Sequence, residues 1–123
     1  MQKNQSQEDY LEAILMVRKM QGRCRSIDVA RHLGFSKPSV SIAVSKLIDD
    51  GYVMKEARGE LVLTDPGMER ASKVLERHEF LHKFLMKIGV SDEVANHDAC
   101  LMEHILTEES FRKLQEYANE NMN

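Results

Sequence analysis

The chain has little cysteine, no overall excess of positive charge and no long apolar run, and each shortage narrows what it can be. Two cysteines, Cys24 and Cys100, cannot build a disulfide scaffold. No run approaches the roughly 18 apolar residues of a membrane span, and the opening segment MQKNQSQEDY lacks the apolar core of a secretion signal. The expectation is a cytoplasmic protein with no membrane partner, whose thiols stay reduced. A formal net charge of −3 excludes nucleic-acid binding by sheer basicity. There is no HExxH run, internal repeat, low-complexity segment or flexible linker.

What is present is an ordinary globular composition, 42% hydrophobic and 30% charged, in 123 residues, enough for one or two small domains. The charge is unevenly spread. Residues 1–71 carry 11 Lys/Arg against 10 Asp/Glu, whereas residues 72–123 carry 6 against 10 and hold four of the five histidines. An acidic, histidine-rich second half suits a cation site, although an acidic solvated face would look the same.

Periodicity gives the element order. Ser6 is read as the cap of a first helix, with Glu8 and Asp9 in its first turn and Leu11, Ile14, Leu15 and Met20 as its apolar stripe. Ser26 opens a second helix, IDVARHLG, with Val29, Ala30 and Leu33 inward. Ser36 caps a third to about Asp50, with Pro38 in its first turn and Val40, Val44 and Leu47 inward. YVMK and LVLT read as strands of a hairpin turned at Gly59. Thr64 or Asp65, before Pro66, starts a long helix to about Ile88. Ser91 then caps a helix from about Asp92 to Leu106, and Thr107 caps a last one holding Phe111, Leu114 and Tyr117.

The tight turn HLGFS between the second and third helices makes a helix-turn-helix, with the third helix as reader. Opposite its apolar face lie Ser41, Ile42 and Ser45, with Ser36, Lys37 and Ser39 at its N-terminal end. Short hydroxyls let the backbone approach the groove, and Ile42 suits a thymine methyl. Lys46 would meet phosphate, as would Arg25 and Arg31, while Lys55 and Arg58 sit on the hairpin. For each residue alone, surface solvation explains it as well. The ordered set of helix-turn-helix, hairpin wing and LTDPG helix entry is what points to DNA.

Chemistry of another kind gathers later in the chain. In HDACLMEHIL a helix would put Cys100, Glu103 and His104 on one face, and thiolate, carboxylate and imidazole together suit a divalent transition ion. Asp9 and Glu12 stand one turn apart on the first helix. His78 and His82 are four apart on the long helix, and His97, Cys100 and His104 follow at spacings of three and four. Any one of these has an ordinary explanation: a core histidine, a small buried thiol, or a carboxylate at a helix start. Their coincidence favours a metal site.

These segments, EDYLEAI, SKPSVSIAVSKL, LTDPG, RHEFLHKFL and ACLMEH, resemble the iron- and manganese-dependent repressors typified by the diphtheria toxin repressor and the manganese transport regulator, over essentially the whole chain. The resemblance implies a mainly α fold: a winged helix-turn-helix DNA-binding domain at 1–71, then a helical metal-binding and dimerisation domain at 72–123. It implies a homodimeric repressor of metal-uptake genes, not an enzyme, that binds operator DNA when loaded with metal. Carried over by position, the ligands are Asp9, Glu12, His78, Cys100, Glu103 and His104. Cys100 matches the iron type and Asp9 and Glu12 the manganese type, so Fe²⁺ is expected first and Mn²⁺ second. An ancillary site would enlist His82 and His97, but His82 stands where a carboxylate belongs and His97 is one residue nearer the cysteine. The SH3-like domain of the iron type and the extended C-terminal helical segment of the manganese type are not expected here. Leu101, Ile105, Leu106, Phe111 and Leu114 are candidates for the dimer core. Two rivals remain open: a winged-helix regulator indifferent to metal, and a metal-dependent hydrolase.

Overall fold

The computed structural model describes residues 3–122. Its elements are α1 (Lys3–Gln21), α2 (Ser26–Leu33), α3 (Lys37–Asp49), β1 (Val53–Lys55), β2 (Leu61–Leu63), α4 (Asp65–Lys87), α5 (Asp92–Met102) and α6 (Glu108–Asn121). They form two compact units that divide within α4, between Ser72 and Lys73.

In the first unit the reading helix is built as its sequence demands. Ser36 Oγ accepts the Ser39 amide at 3.3 Å, Pro38 occupies the first turn, and Val40, Val44 and Leu47 are buried. From α1 come the buried Leu11, Ile14, Leu15 and Val17, and from α2 Val29 and Ala30. Met20, read as part of that stripe, is 67% exposed: it lies in the last turn of α1, beyond the core. One further expectation needs correction. Helix α1 already runs from Lys3, so Ser6 lies inside it and no acidic residue occupies its first turn; glutamine-rich KNQSQ propagates a helix readily. Helix α2 opens at Ser26 as read, with Arg25 as its N-cap, and the Asp28 carboxylate accepts the Arg25 amide at 2.9 Å.

The wing is an antiparallel pair, with Val53 opposite Leu63 and Lys55 opposite Leu61. A bridge between Arg25 and Glu60, with the Leu61 amide donating to the Cys24 carbonyl at 2.7 Å, adds a third edge that no sequence pattern marks. Arg58 at the tip has φ +64° and Gly59 +78°. Successive left-handed residues match the right-handed twist of a hairpin, and for arginine the conformation costs of order 1 kcal/mol. Where the wing meets α4, Thr64 Oγ1 accepts the Gly67 amide at 3.2 Å and donates to the Gly51 carbonyl. A Cβ on Gly67 would lie 2.0 Å from the Tyr52 carbonyl oxygen, so only glycine fits there.

In the second unit, Phe111 of α6 is buried against Phe80 of α4, ring edge to face at 5.5 Å, beside the buried Leu81, Ala95 and Ala99. Phe111 therefore belongs to the protomer core and not to a dimer face. The expected helix to Leu106 stops at Met102. Residues 103–106 form a turn, and α6 starts afresh with Thr107 Oγ1 accepting the Ser110 amide at 3.1 Å.

Candidate metal centre and reading surface

Because α5 ends early, Glu103 and His104 are not on its regular face as the spacing predicted. The Glu103 amide still bonds the Ala99 carbonyl, but the next two turn tightly, to Leu101 and Met102. This turn brings the Glu103 side chain inward, where the residue is only 2% exposed. A buried carboxylate without partners would be costly. Here its Oε2 lies 3.0 Å from His78 Nδ1 and its Oε1 3.3 Å from His104 Nε2. Cys100 Sγ approaches the same His78 nitrogen at 3.7 Å. The second unit thus sets His78 and His104 against the two oxygens of one buried carboxylate, with Cys100 beside His78.

The electrostatics describe a proton-loaded cluster. The Cys100 sulfur, then the Glu103 carboxylate, hold the His78 pKa up at about 10, against the burial that would lower it. The other ring nitrogen of His78 faces Asn96 Oδ1 at 2.9 Å, so both nitrogens face acceptors, as an imidazolium requires. Burial alone would raise the Glu103 pKa, but His104 and His78 outweigh it and keep it below the usual carboxylate value. One buried anion, two imidazoles and a thiol form a donor set that fits a divalent transition ion in place of the proton.

Asp9 and Glu12 are half-buried, one turn apart on α1. His82 pairs with Asp92 at 2.7 Å, and the exposed His97 lies beside Asp98 at 3.3 Å; neither joins the cluster. Cys24 is buried, and burial pushes its thiol up to about 12, so it stays a neutral core residue. Two residues were missed by sequence reasoning. Asn96 gave no signal. Arg77, next to His78, donates to the carbonyls of Glu103 at 3.2 Å and Leu106 at 2.7 Å.

On the reading helix, Ser36, Lys37, Ser39, Ser41, Ser45 and Lys46 are all exposed, and Ile42 is 72% exposed. Arg25, Lys55 and Arg58 are exposed as well.

Family models match both halves of the chain. Residues 4–61 match the family model described as iron dependent repressor, N-terminal DNA binding domain. Residues 64–122 match the one described as iron dependent repressor, metal binding and dimerisation domain. The chain belongs to the iron-dependent repressor family. Among the family's proteins it is 37% identical to the HTH-type transcriptional regulator MntR of Bacillus subtilis over 109 residues, 89% of this chain and 77% of that one. It is 33% identical to an HTH-type transcriptional regulator of Methanocaldococcus jannaschii over 114 residues, 91% of each. Among solved structures, the T. acidophilum IdeR matches with a TM-score of 0.81 at 29% identity over 91% of this chain. The manganese regulator SloR matches at 0.82, with 25% identity over 92%. The chain spans about half the length of those two structures, 53% of each. As a member of this family it is a metal-dependent, DNA-binding transcriptional regulator with a dimerisation domain, not an enzyme. Among the described residues no helix is long and apolar enough to cross a membrane.

Proposed function

We propose that this protein represses metal-uptake genes when Fe²⁺, or failing that Mn²⁺, occupies a site made by His78, Cys100, Glu103 and His104 together with Asp9 and Glu12. The observation that carries the reading is the buried Glu103 carboxylate between two imidazoles, in a domain whose family is metal-binding. When bound, the ion supplies a divalent charge that three carboxylates, two imidazoles and a thiolate can share. Asp9 and Glu12 belong to the DNA-binding unit and the other four to the second unit, so a shared ion holds the two in one arrangement. Two copies, joined through residues of 72–123, then present their α3 helices to successive major grooves at a fixed spacing. Apo protein, free of that restraint, releases DNA.

Cys100 is the reason for placing iron first, since a thiolate is soft, while relatives named MntR and the manganese regulator SloR argue for manganese. Ser36, Lys37, Ser39, Ser41, Ile42, Ser45 and Lys46 would lie in the groove, with Arg25 and Arg58 on phosphates. A cytoplasmic location follows from this role. The test is fluorescence anisotropy with DNA from upstream of the protein's own gene, anaerobic and chelator-treated, then with Fe²⁺, Mn²⁺ and Zn²⁺ in turn. A large metal-dependent gain in affinity supports the switch, and the order of metals assigns the role of Cys100. Tight binding unaffected by every metal overturns it in favour of a winged-helix regulator without metal control.

A further inference from the structure

Glu103 and His104 are adjacent candidate ligands that no regular helix holds. They lie in the four-residue turn between α5 and α6. The Ala99, Leu101 and Met102 carbonyls of α5 accept the amides of residues 103–106, whereas the Glu103 and Leu106 carbonyls of the turn accept a side chain from another helix. Arg77 of α4 donates through Nη1 to the Glu103 carbonyl at 3.2 Å and the Leu106 carbonyl at 2.7 Å, at either end of the turn. Its Nη2 meets Glu108 Oε2, in the first turn of α6, at 3.3 Å. Its guanidinium lies over the Phe111 ring, 5.0 Å from the centroid, and its side chain is only 16% exposed. A planar, permanently charged fork is fixed on four sides, and the next residue along α4 is His78.

We infer that Arg77 is a positioning residue for metal: by clasping both ends of the 103–106 turn from the helix that carries His78, it fixes the Glu103 and His104 side chains relative to the His78 imidazole. This deepens the proposed metal site and rests on it. Arg77 takes no part in coordination, because a guanidinium is always protonated and offers no lone pair. Its effect is geometric. Without it the turn carbonyls seek water, the two ligands lose their common orientation, and affinity for the ion falls before the fold does. Partners that orient ligands typically contribute about 10- to 100-fold in metal affinity.

The experiment compares the full chain with Arg77→Lys, Arg77→Gln and Glu108→Gln, using Mn²⁺ uptake by calorimetry and the visible spectrum of the Co²⁺-loaded protein. Amide hydrogen exchange at 104–107 in the metal-free protein gives a readout independent of loading. Arg77→Gln is expected to weaken Mn²⁺ binding at least about tenfold, alter the Co²⁺ ligand-field bands and speed exchange at 104–107. Arg77→Lys, which keeps a charged donor but loses the planar group that lies over Phe111 and meets Glu108, should fall between. Glu108→Gln removes the ion pair but leaves both carbonyl bonds, so its Mn²⁺ affinity should stay within about twofold of the parent. Equal loss of thermal stability in Arg77→Gln and Glu108→Gln with unchanged Mn²⁺ affinity and Co²⁺ spectrum in both overturns the assignment. Absence of Mn²⁺ and Co²⁺ uptake by the parent protein overturns the metal site itself, and the Arg77 role with it. Should Arg77→Gln fail to fold, the ordering of parent, Glu108→Gln and Arg77→Lys decides alone.

Discussion

His78 is where the chemistry of the site can be read most directly. With its pKa raised to about 10 by Cys100 and Glu103, the metal-free imidazole carries a proton throughout the physiological range. The sign follows from linkage: a pKa raised above the ordinary 6.5 of histidine adds stability that is complete below about pH 6.5 and is lost as pH rises through about 10. An ion that takes this nitrogen must displace the proton. Mn²⁺ affinity is therefore expected to rise by about tenfold per pH unit around neutrality, with at least one proton released per ion. Calorimetry in two buffers of different ionisation enthalpy measures that release; an affinity flat with pH would contradict it. On the reading surface, Ile42→Ala should weaken operator binding by roughly 1–2 kcal/mol, if a thymine methyl covers that side chain. Because Ile42 is already 72% exposed, its removal should leave the thermal midpoint and non-specific DNA affinity unchanged. At this scale the sequence was informative wherever residue type alone decides chemistry, as for Cys100, Glu103 and His104. It was silent on Asn96 and Arg77, whose roles come from neighbours distant in the chain.

Among the elements, those specified by their own residues were legible and those specified by tertiary partners were not. Helix α3 could be placed closely because Ser36, Pro38 and the Val40–Val44–Leu47 stripe all lie within it. The end of α5 could not, because the periodicity of Leu101, Ile105 and Leu106 runs past the point where the chain turns tightly and Arg77, from another helix, holds the Glu103 and Leu106 carbonyls. The third edge of the wing was invisible for the same reason: Arg25 and Glu60 are paired by the fold, not by pattern. The junction of wing and α4 yields a sharp prediction. Gly67→Ala puts a methyl 2.0 Å from the Tyr52 carbonyl oxygen, a backbone atom that cannot swing aside. Denaturant unfolding should show a loss of about 1–3 kcal/mol or more, with DNA binding reduced at every metal concentration and Mn²⁺ uptake much less affected. Gly89→Ala meets no atom within 4 Å but has φ +108°, so its cost should be conformational only.

For the molecule as a whole, the question is how two reading helices come to act together. The apolar residues proposed for dimerisation divide into two groups. Phe111 is committed to the protomer core, whereas Leu101 is 50% exposed and Ile105 66% exposed. Leu101 precedes and Ile105 follows the pair Glu103 and His104, so the residues offered to a second copy and those offered to an ion lie side by side along one short segment. Glu103 faces inward and Ile105 outward, which makes the two functions separable by mutation. Ile105→Glu places a charge on the outer side, where a second copy would have to bury it unpaired. Sedimentation velocity should then show a monomer with unchanged helical content. Operator affinity should fall by about a hundredfold or more, since each protomer would bind a single half-site alone. Binding to a single half-site duplex should be nearly unchanged, because α3 and the wing are intact in the monomer. A variant that stays dimeric yet loses the operator would show instead that this segment acts through the metal ligands beside it.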